Sequence, residues 1–535
     1  MGAEDKTTES YRAANTAWKA TSKVIFGQEV GELNEFKEWL VELNDPLQTD
    51  KSVQSGREVV FWNSNYRPQA PLISMEEVDW EKKFKPLDIN QIKDIDSIVQ
   101  AIQDRVYYAG SIVLGNSRLV EGSTNITDSV AVYKSAKISG CKNVAYSQML
   151  RLSENVFGVN EGGEGKWCIR SSVLYRNTRG LELWISGECR DCYYSYGLTG
   201  CEDCLFSFNL VGKRCAVGNL ILPKDKYLAI KQKLVAEMWE ELVSRKKLPS
   251  LMEIVRKCDN RPSETARLIE GKVRYDDEKL DFEVMEKSFS QTSEVVLGRP
   301  LAGIEMYARW LKKDTVTPQP VRSALSGRPV NISDWPGYSQ LPRARAALQA
   351  EAQAVGEHVR ISEEEAERIS LSNAHKFISP IAYFQPEYKL NENKNVMDCQ
   401  WSSFSSNCYR VVICAYTKNC AYCSWPRSSE FLFGSGIVYD SAFGLKCHES
   451  VNLKRCFEVD TARDCSDCYF CHNVENCQEC MFCFNVKAKR YAIGNVEYPK
   501  EEYLKIKKLV LVEISQKLEN DKKLDLSIYN IGGKK

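Results

Sequence analysis

A 12-residue period governs the C-terminal part of the chain: Cys465 and Cys477, Cys468 and Cys480, and Cys471 and Cys483 stand 12 positions apart. The same texture returns 276 positions earlier. Cys189 to Ile230 matches Cys465 to Ile506 at 19 of 42 positions without a gap, and 143–158 matches 419–434 at 8 of 16. A short period inside a long duplication is the signature of a repeat architecture. One register can be followed without relying on cysteine: Val144, Val156, Cys168, Gly180, Cys192 and Cys204 are all small or apolar. A stacked inward position selects such residues, because each copy lies above the last at about 4.8 Å. A coil of this length holds two short strands and two tight turns. The spacing predicts a narrow β-solenoid, with a meander of short hairpins as the alternative.

The expected fold class is α+β: two duplicated β-solenoid-like blocks of about 12 residues per coil, each followed by a capping helix. Residues 1–106 read as mostly helical, with Leu33, Phe36, Leu40 and Leu43 on one stripe. The first block occupies 107–222 and the second 377–498. Gly218-Asn219 followed by Pro223 signals a turn and a helix start, and Pro499 repeats the device. Segment 223–376 reads as a capping helix, a helical connector and an extended arm, and 499–535 as a second cap and a polar tail. The arm, Thr315 to Pro342, is rich in Pro, Gly and Ser and carries Trp335, Pro336 and Tyr338, which read as anchors for a neighbouring molecule.

Lysine plus arginine and aspartate plus glutamate each total 72, so the chain lacks the basic footprint of a nucleic-acid binder. Neither a secretory leader nor a run of roughly 18 apolar residues is present, so a soluble chain with no membrane partner is expected. The 21 cysteines are odd in number and do not suggest a disulfide framework. Only four histidines occur, His358, His375, His448 and His472.

The motif CxxC-x8-CxxC occurs twice, as Cys189, Cys192, Cys201, Cys204 and as Cys465, Cys468, Cys477, Cys480. Four thiolates can close a tetrahedral zinc site. Yet the 8-residue gap is what a 12-residue coil produces unaided. Ser195 and Ser207 also stand where the other copy has Cys471 and Cys483, while Val144 and Gly180 replace Cys420 and Cys456. Such exchanges suit small interior slots filled by reduced thiols. The favoured reading is therefore packing, with no metal ligand, cofactor or catalytic residue assigned, and zinc at the two quartets as the rival. Lys213-Arg214 and Lys489-Arg490 read as solvated turns rather than anion sites. Tyr193/Tyr469, Phe206/Phe482 and Phe208/Phe484 read as an aromatic stack inside the coils. The glycines of 161–166 lack P-loop spacing.

The pattern CxxC…CxFCFN…K…IGN…YPKEEYLKI at Cys465 to Ile506, with its weaker copy at Cys189, resembles a poorly characterised cysteine-rich repeat family. That family occurs in uncultivated small-genome bacteria and large phages and is sometimes mislabelled as CaiB/BaiF. Members with this layout often begin with a zinc ribbon, whereas here no cysteine precedes Cys141. The resemblance implies no established activity, and its phage members imply a virion or assembly role. The expectation is a non-enzymatic structural protein that forms a homo-oligomer or larger assembly with protein partners, in a virion or the cytoplasm. The rivals are a zinc-binding interaction module and a solenoid-type acyltransferase, although the longer coils and catalytic histidine of the latter are not evident.

Overall fold

The structure is a computed structural model that describes residues 8–532 other than 63–64, 89–91, 276–279, 449, 452–454, 461–464 and 475. The chain is mixed α/β, with twelve α-helices among the described residues and two large parallel sheets of 16 and 9 strands. Within each sheet, beyond its first strand, which begins at a spacing of 13, a residue in the parallel ladders pairs with the one 12 positions on. Val144 faces Val156, Val156 faces Cys168, Cys168 faces Gly180, Gly180 faces Cys192, Cys192 faces Cys204 and Cys204 faces Ala216. The register foreseen from the sequence is thus the pairing register. Because these neighbours are parallel, the hairpin meander is excluded; hairpins pair antiparallel.

Every 12 residues contribute two four-residue strands, such as Lys142–Ala145 and Gln148–Arg151. The two resulting ladders join where one longer strand serves both: Thr178–Gly187 in the first sheet and Trp401–Tyr409 in the second. The backbone has a finer period still. Positive φ falls on Asn143, Tyr146, Met149, Leu152 and Asn155, and the residue after each, Val144, Ser147, Leu150, Ser153 and Val156, is buried. Left-handed backbone costs an L-residue roughly 1–2 kcal/mol. Asparagine tolerates it best, and the asparagines add stacked amide bonds: Asn143 Nδ2 donates to Asn155 Oδ1 at 2.9 Å, and Asn407 Nδ2 to Asn419 Oδ1 at 2.9 Å.

The third residue of each triplet builds the interior. One buried cluster runs from Ile126 to Ala216 and another from Val396 to Ala492, every member falling on the same triplet phase. The aromatic pairs do not belong to it, which corrects the reading of a stack inside the coils. Tyr193, Phe206 and Phe208, like Tyr469, Phe482 and Phe484, are buried on the outer faces under helices and connecting segments. The reason is space: the triplet slots hold Cys, Val, Ser and Leu, and a ring does not fit.

Each sheet closes at its C-terminal end in the same way. Arg214–Val217 turns back antiparallel onto Leu220–Ile221, and the helix Lys224–Arg245 follows. Arg490–Ile493, Val496–Glu497 and the helix Lys500–Asp521 repeat this 276 positions on. The duplication also reaches into the regions read as N-terminal helices and connector. The helices Glu9–Phe26 and Glu283–Leu297 both end on a left-handed glycine, and each lies on the sheet that follows it, through Trp18 against Phe157 and Phe289 against Phe433. Next come hairpins, Gln48–Lys51 with Glu58–Phe61 and Gln319–Arg322 with Pro329–Ile332. The second hairpin corrects the reading of 315–342 as an extended arm. Trp335 and Tyr338 are buried, and Trp335 Nε1 donates to Glu161 Oε2 at 2.7 Å. Its apolar residues find a core on their own chain.

Candidate functional site

Two constellations gather chemistry-bearing side chains. The first is the cysteine interior. All 21 cysteines are free; nineteen are buried and Cys215 and Cys258 half-buried. In the first quartet Cys192 and Cys204 are in-register neighbours, and each of the four thiols donates to the carbonyl two residues back, Cys192 to Arg190 O at 3.3 Å and Cys201 to Thr199 O at 3.5 Å. In the second, Cys480 Sγ donates to Gln478 O at 3.7 Å and Cys468 Sγ reaches Cys477 O at 3.8 Å. Among the described residues, no three His, Cys, Asp or Glu side chains stand where they could hold a metal ion. The thiols instead use the backbone. Cys189 Sγ donates to Gly187 O at 3.2 Å and Cys468 Sγ to Ser466 O at 3.2 Å. Burial pushes the thiols of Cys168 and Cys423 up to about 12, so both are protonated at neutral pH and lack the thiolate that metals and electrophiles need.

Serine fills the same slots in the same way. Ser195 Oγ donates to Tyr193 O at 2.9 Å and accepts from Ser207 N at 3.1 Å. Cys471 Sγ donates to Tyr469 O at 3.4 Å, and Cys483 Sγ accepts from Asn495 N at 3.4 Å. A hydroxyl at position 471 therefore finds its partners already placed. Cys471→Ser is expected to shift stability by less than about 1 kcal/mol, since a satisfied neutral hydrogen bond is worth about that much. Urea unfolding of the variant checks this; a loss several times larger would mean that the thiol itself is required.

The second constellation lies on the outer faces. Arg170 is buried between Glu182, at 3.0 Å from its Nε, and Glu42, at 2.9 Å from Nη1. The equivalent pair is Lys446 and Glu458, 3.8 Å apart, with Asp314 Oδ2 2.7 Å from Lys446 Nζ. In both units the glutamate also accepts a backbone N–H from the segment beyond the capping helix: Leu251 N to Glu182 at 2.9 Å and Ile528 N to Glu458 at 2.7 Å. The second unit adds groups the first lacks. Asp460, His472 and His448 replace Trp184, Tyr196 and Ser172. His472 Nδ1 lies 3.1 Å from Asp460 Oδ2, which also accepts from Tyr66 OH at 2.7 Å.

An aspartate–histidine pair invites a catalytic reading, but Ala109 N donates to His472 Nε2 at 3.0 Å. The nitrogen that would act as a base is occupied, and the ring is fully buried. His448 is buried as well, and burial first, then the Lys446 ammonium, holds it down at about 4. Sequence reasoning passed over this cluster, whose signal was available: two of the four histidines stand in the second unit where the first has serine and tyrosine.

The remaining motifs are structural. Arg214 is exposed beside Glu202 at 3.3 Å, and Lys489 lies 3.8 Å from Glu497. In the glycine-rich segment Glu161 is buried beneath Trp335, and burial pushes its carboxyl up to about 7. A groove of about 450 Å³ runs between the first helix and the sheet, lined by Arg12, Thr16, Leu119, Asn143 and Asn155. Among the described residues no helix is long and apolar enough to cross a membrane. No family model, curated protein or solved structure matches the chain.

Proposed function

We propose that this is a non-enzymatic structural protein that works by assembly, built on two β-solenoids whose first coils are the contact points. The 12-residue register, kept from the second strand of each sheet onward, and the triplet interior support the solenoid reading. The observation that carries the assembly reading is the inequality of the ends. Each C-terminal end is closed by an antiparallel strand and a helix. At the N-terminal end, strand Tyr388–Met397 pairs on one side only, with Trp401–Tyr409. Leu390, on the interior phase, is 38% exposed there, beside the stacked and exposed Phe404 and Tyr416. Val113–Leu114 opens the first sheet in the same one-sided way, with Val113 40% exposed. The Gln349 amide covers the Tyr388–Met397 edge at Lys389, accepting from its N–H at 2.9 Å; beyond it, an edge without a strand partner beside apolar side chains is a template for another strand, and solenoid ends suit end-on association. Lys389 and Glu392 on the open strand carry opposite charges that antiparallel pairing with a second copy would match. The setting as a virion component rests on the resemblance.

Light scattering across a concentration series tests the reading. The full chain should form dimers or larger oligomers, and Leu390→Lys with Phe404→Lys should abolish them without changing thermal unfolding. A wild-type chain that stays monomeric throughout, or oligomers that survive both substitutions, would sink it. A zinc-binding module is the second reading, favoured by the recurrence of all four cysteines of Cys189, Cys192, Cys201 and Cys204 at Cys465, Cys468, Cys477 and Cys480. Stoichiometric zinc in protein purified without chelator, together with unfolding on chelation, would establish it.

A further inference from the structure

The two units exchange segments. The stretch between the first hairpin and the first sheet does not lie on that sheet's C-terminal end but on the other's. Asn485 Nδ2 donates to Tyr107 O at 2.7 Å, Ile95 N donates to Glu513 Oε2 at 2.8 Å, and Tyr108 packs on His472 and Phe484. The stretch before the second sheet crosses the opposite way. Asn209 Nδ2 donates to Tyr383 O at 2.9 Å, Leu371 N donates to Glu237 Oε1 at 3.1 Å, and Phe384 packs on Tyr196 and Phe208. Each contact in the first set maps onto one in the second when 276 is added to one partner and subtracted from the other. The segment leading into each sheet therefore lies against the C-terminal end of the other sheet, as in a two-fold dimer.

From this reciprocity we infer that the chain is a strap-exchanged dimer of two homologous units fused in one polypeptide, and that the C-terminal end of each sheet is a docking surface for the strap of another such unit. The surface is built for the purpose. Ile95, Ile98, Ile102 and Val106 of one strap are buried with residues of the second unit's capping helix, among them Tyr503, Ile506 and Val510. Ala352, Val355, Val359 and Ile361 of the other strap are buried with Tyr227, Ile230 and Leu234 of the first. A left-handed glycine seats each strap: Gly494 faces Ile102 and Gly218 faces Ile361, leaving no room for a Cβ. Apolar burial of this kind is non-directional and needs no covalent link between the partners.

The two surfaces also differ in a way that sets pairing. The surface for the first strap presents His472 and Asp460 to Ala109 and Tyr66. The other presents Tyr196 to Phe384 and to the carbonyl of Gln385, which accepts from Tyr196 OH at 2.7 Å. The two surfaces therefore offer different side chains, an aspartate–histidine pair on one and a tyrosine hydroxyl on the other, and such differences let a strap discriminate between them. Each unit selects its twin rather than itself.

The peptide joining the units can be cut to test this. Gly271 has a positive φ, with nothing within 4 Å of where a side chain would sit, and Lys272 and Arg274 are exposed. A protease site inserted after Gly271 in the full chain allows the folded protein to be nicked. The expected result is that the two fragments co-elute at the volume of the intact protein, part only in denaturant, and regain that volume when refolded together. Nicked fragments that separate in native buffer as two folded monomers would overturn the inference. A milder substitution gives an independent check. Ile102→Ala lies in the first unit, yet hydrogen exchange should lose protection around Ala492 and along Lys500–Asp521 while strands Lys142–Ala145 and Glu154–Phe157 stay unchanged. Loss confined to those first-unit strands would equally overturn it.

Discussion

Gly356→Ala is expected to destabilise the protein by about 3 kcal/mol, the upper part of the usual range for overpacking. Helix propensity alone predicts the opposite sign, since Ala replacing Gly inside a helix gains about 1 kcal/mol. Gly356 is buried in the helix Gln349–His358. A Cβ there would come 2.1 Å from the backbone oxygen of Asn209 and 2.8 Å from its carbonyl carbon. Those atoms cannot rotate aside: they belong to the end of the first sheet, where Asn209 N donates to Tyr196 O at 2.9 Å and Asn209 Nδ2 is bound to Tyr383 O. The helix must back away instead, loosening Ala352, Val355 and Val359, which are buried against the first unit. Urea unfolding of Gly356→Ala beside Gln353→Ala, on the exposed face of the same helix, isolates the effect. A stabilised Gly356→Ala would show that the helix does not bear on the sheet.

Much of this architecture was legible because the interior repeats its demands. A slot that accepts only small or aliphatic residues every 12 positions leaves a trace in the sequence, and the register through Val144, Val156 and Cys168 is the observed pairing. The packing reading of the cysteines came from the same source, since Ser195 stands where Cys471 does and makes the same bond to the carbonyl two residues back. Other features left less trace. The N-terminal helices are duplicated too, with Trp39-Leu40 answered by Trp310-Leu311 and Ser55-Gly56-Arg57 by Ser326-Gly327-Arg328. Their spacing is 271 rather than 276, and surface helices keep shape more than identity, so a gapless comparison misses them. The left-handed triplet was illegible for a physical reason: Met149, Leu152 and Ile185 are poor predictors of positive φ, and the strand ladders on both sides impose it. Strap exchange was beyond reach because both sheets end in the same strand-and-helix device, and only long-range packing selects between them. The Asp460–His472 pair lies 12 residues apart on one outer face and meets Ala109 from the other unit, a contact no local pattern announces.

Removing either partner of the Arg170–Glu182 pair is expected to cost about 3–5 kcal/mol, the usual penalty for leaving one member of a buried ion pair alone. Both side chains are essentially inaccessible, at 1% and 0% exposure. Arg170 Nε reaches Glu182 Oε1 at 3.0 Å, while Glu182 Oε2 holds Trp184 Nε1 at 3.1 Å and Leu251 N at 2.9 Å. Glu182→Leu therefore strands a guanidinium that keeps only Glu42 and the Trp39 carbonyl, and orphans two further donors. Arg170→Leu leaves a buried carboxylate with no counter-charge, held only by the Trp184 and Leu251 N–H groups. Burial already holds the Glu182 carboxyl above its ordinary range and the guanidinium opposes that shift, so its loss raises the folded-state value further. The unfolded value is about 4.3. A carboxyl raised on folding stabilises the native state fully below the unfolded value, and that contribution is lost as pH rises through the folded value. Arg170→Leu should thus be markedly less stable at pH 8 than at pH 5 relative to wild type. Glu182→Leu, which removes the titrating group, should lack this trend. The double variant should lose less than the sum of the two, by a coupling of roughly 0.5–3 kcal/mol, because each single change abandons a partner that the double change removes. Urea unfolding of the three variants at both pH values decides the matter. Additive losses with no pH trend in Arg170→Leu would mean that the two charges do not support one another and that Glu42 alone balances the arginine.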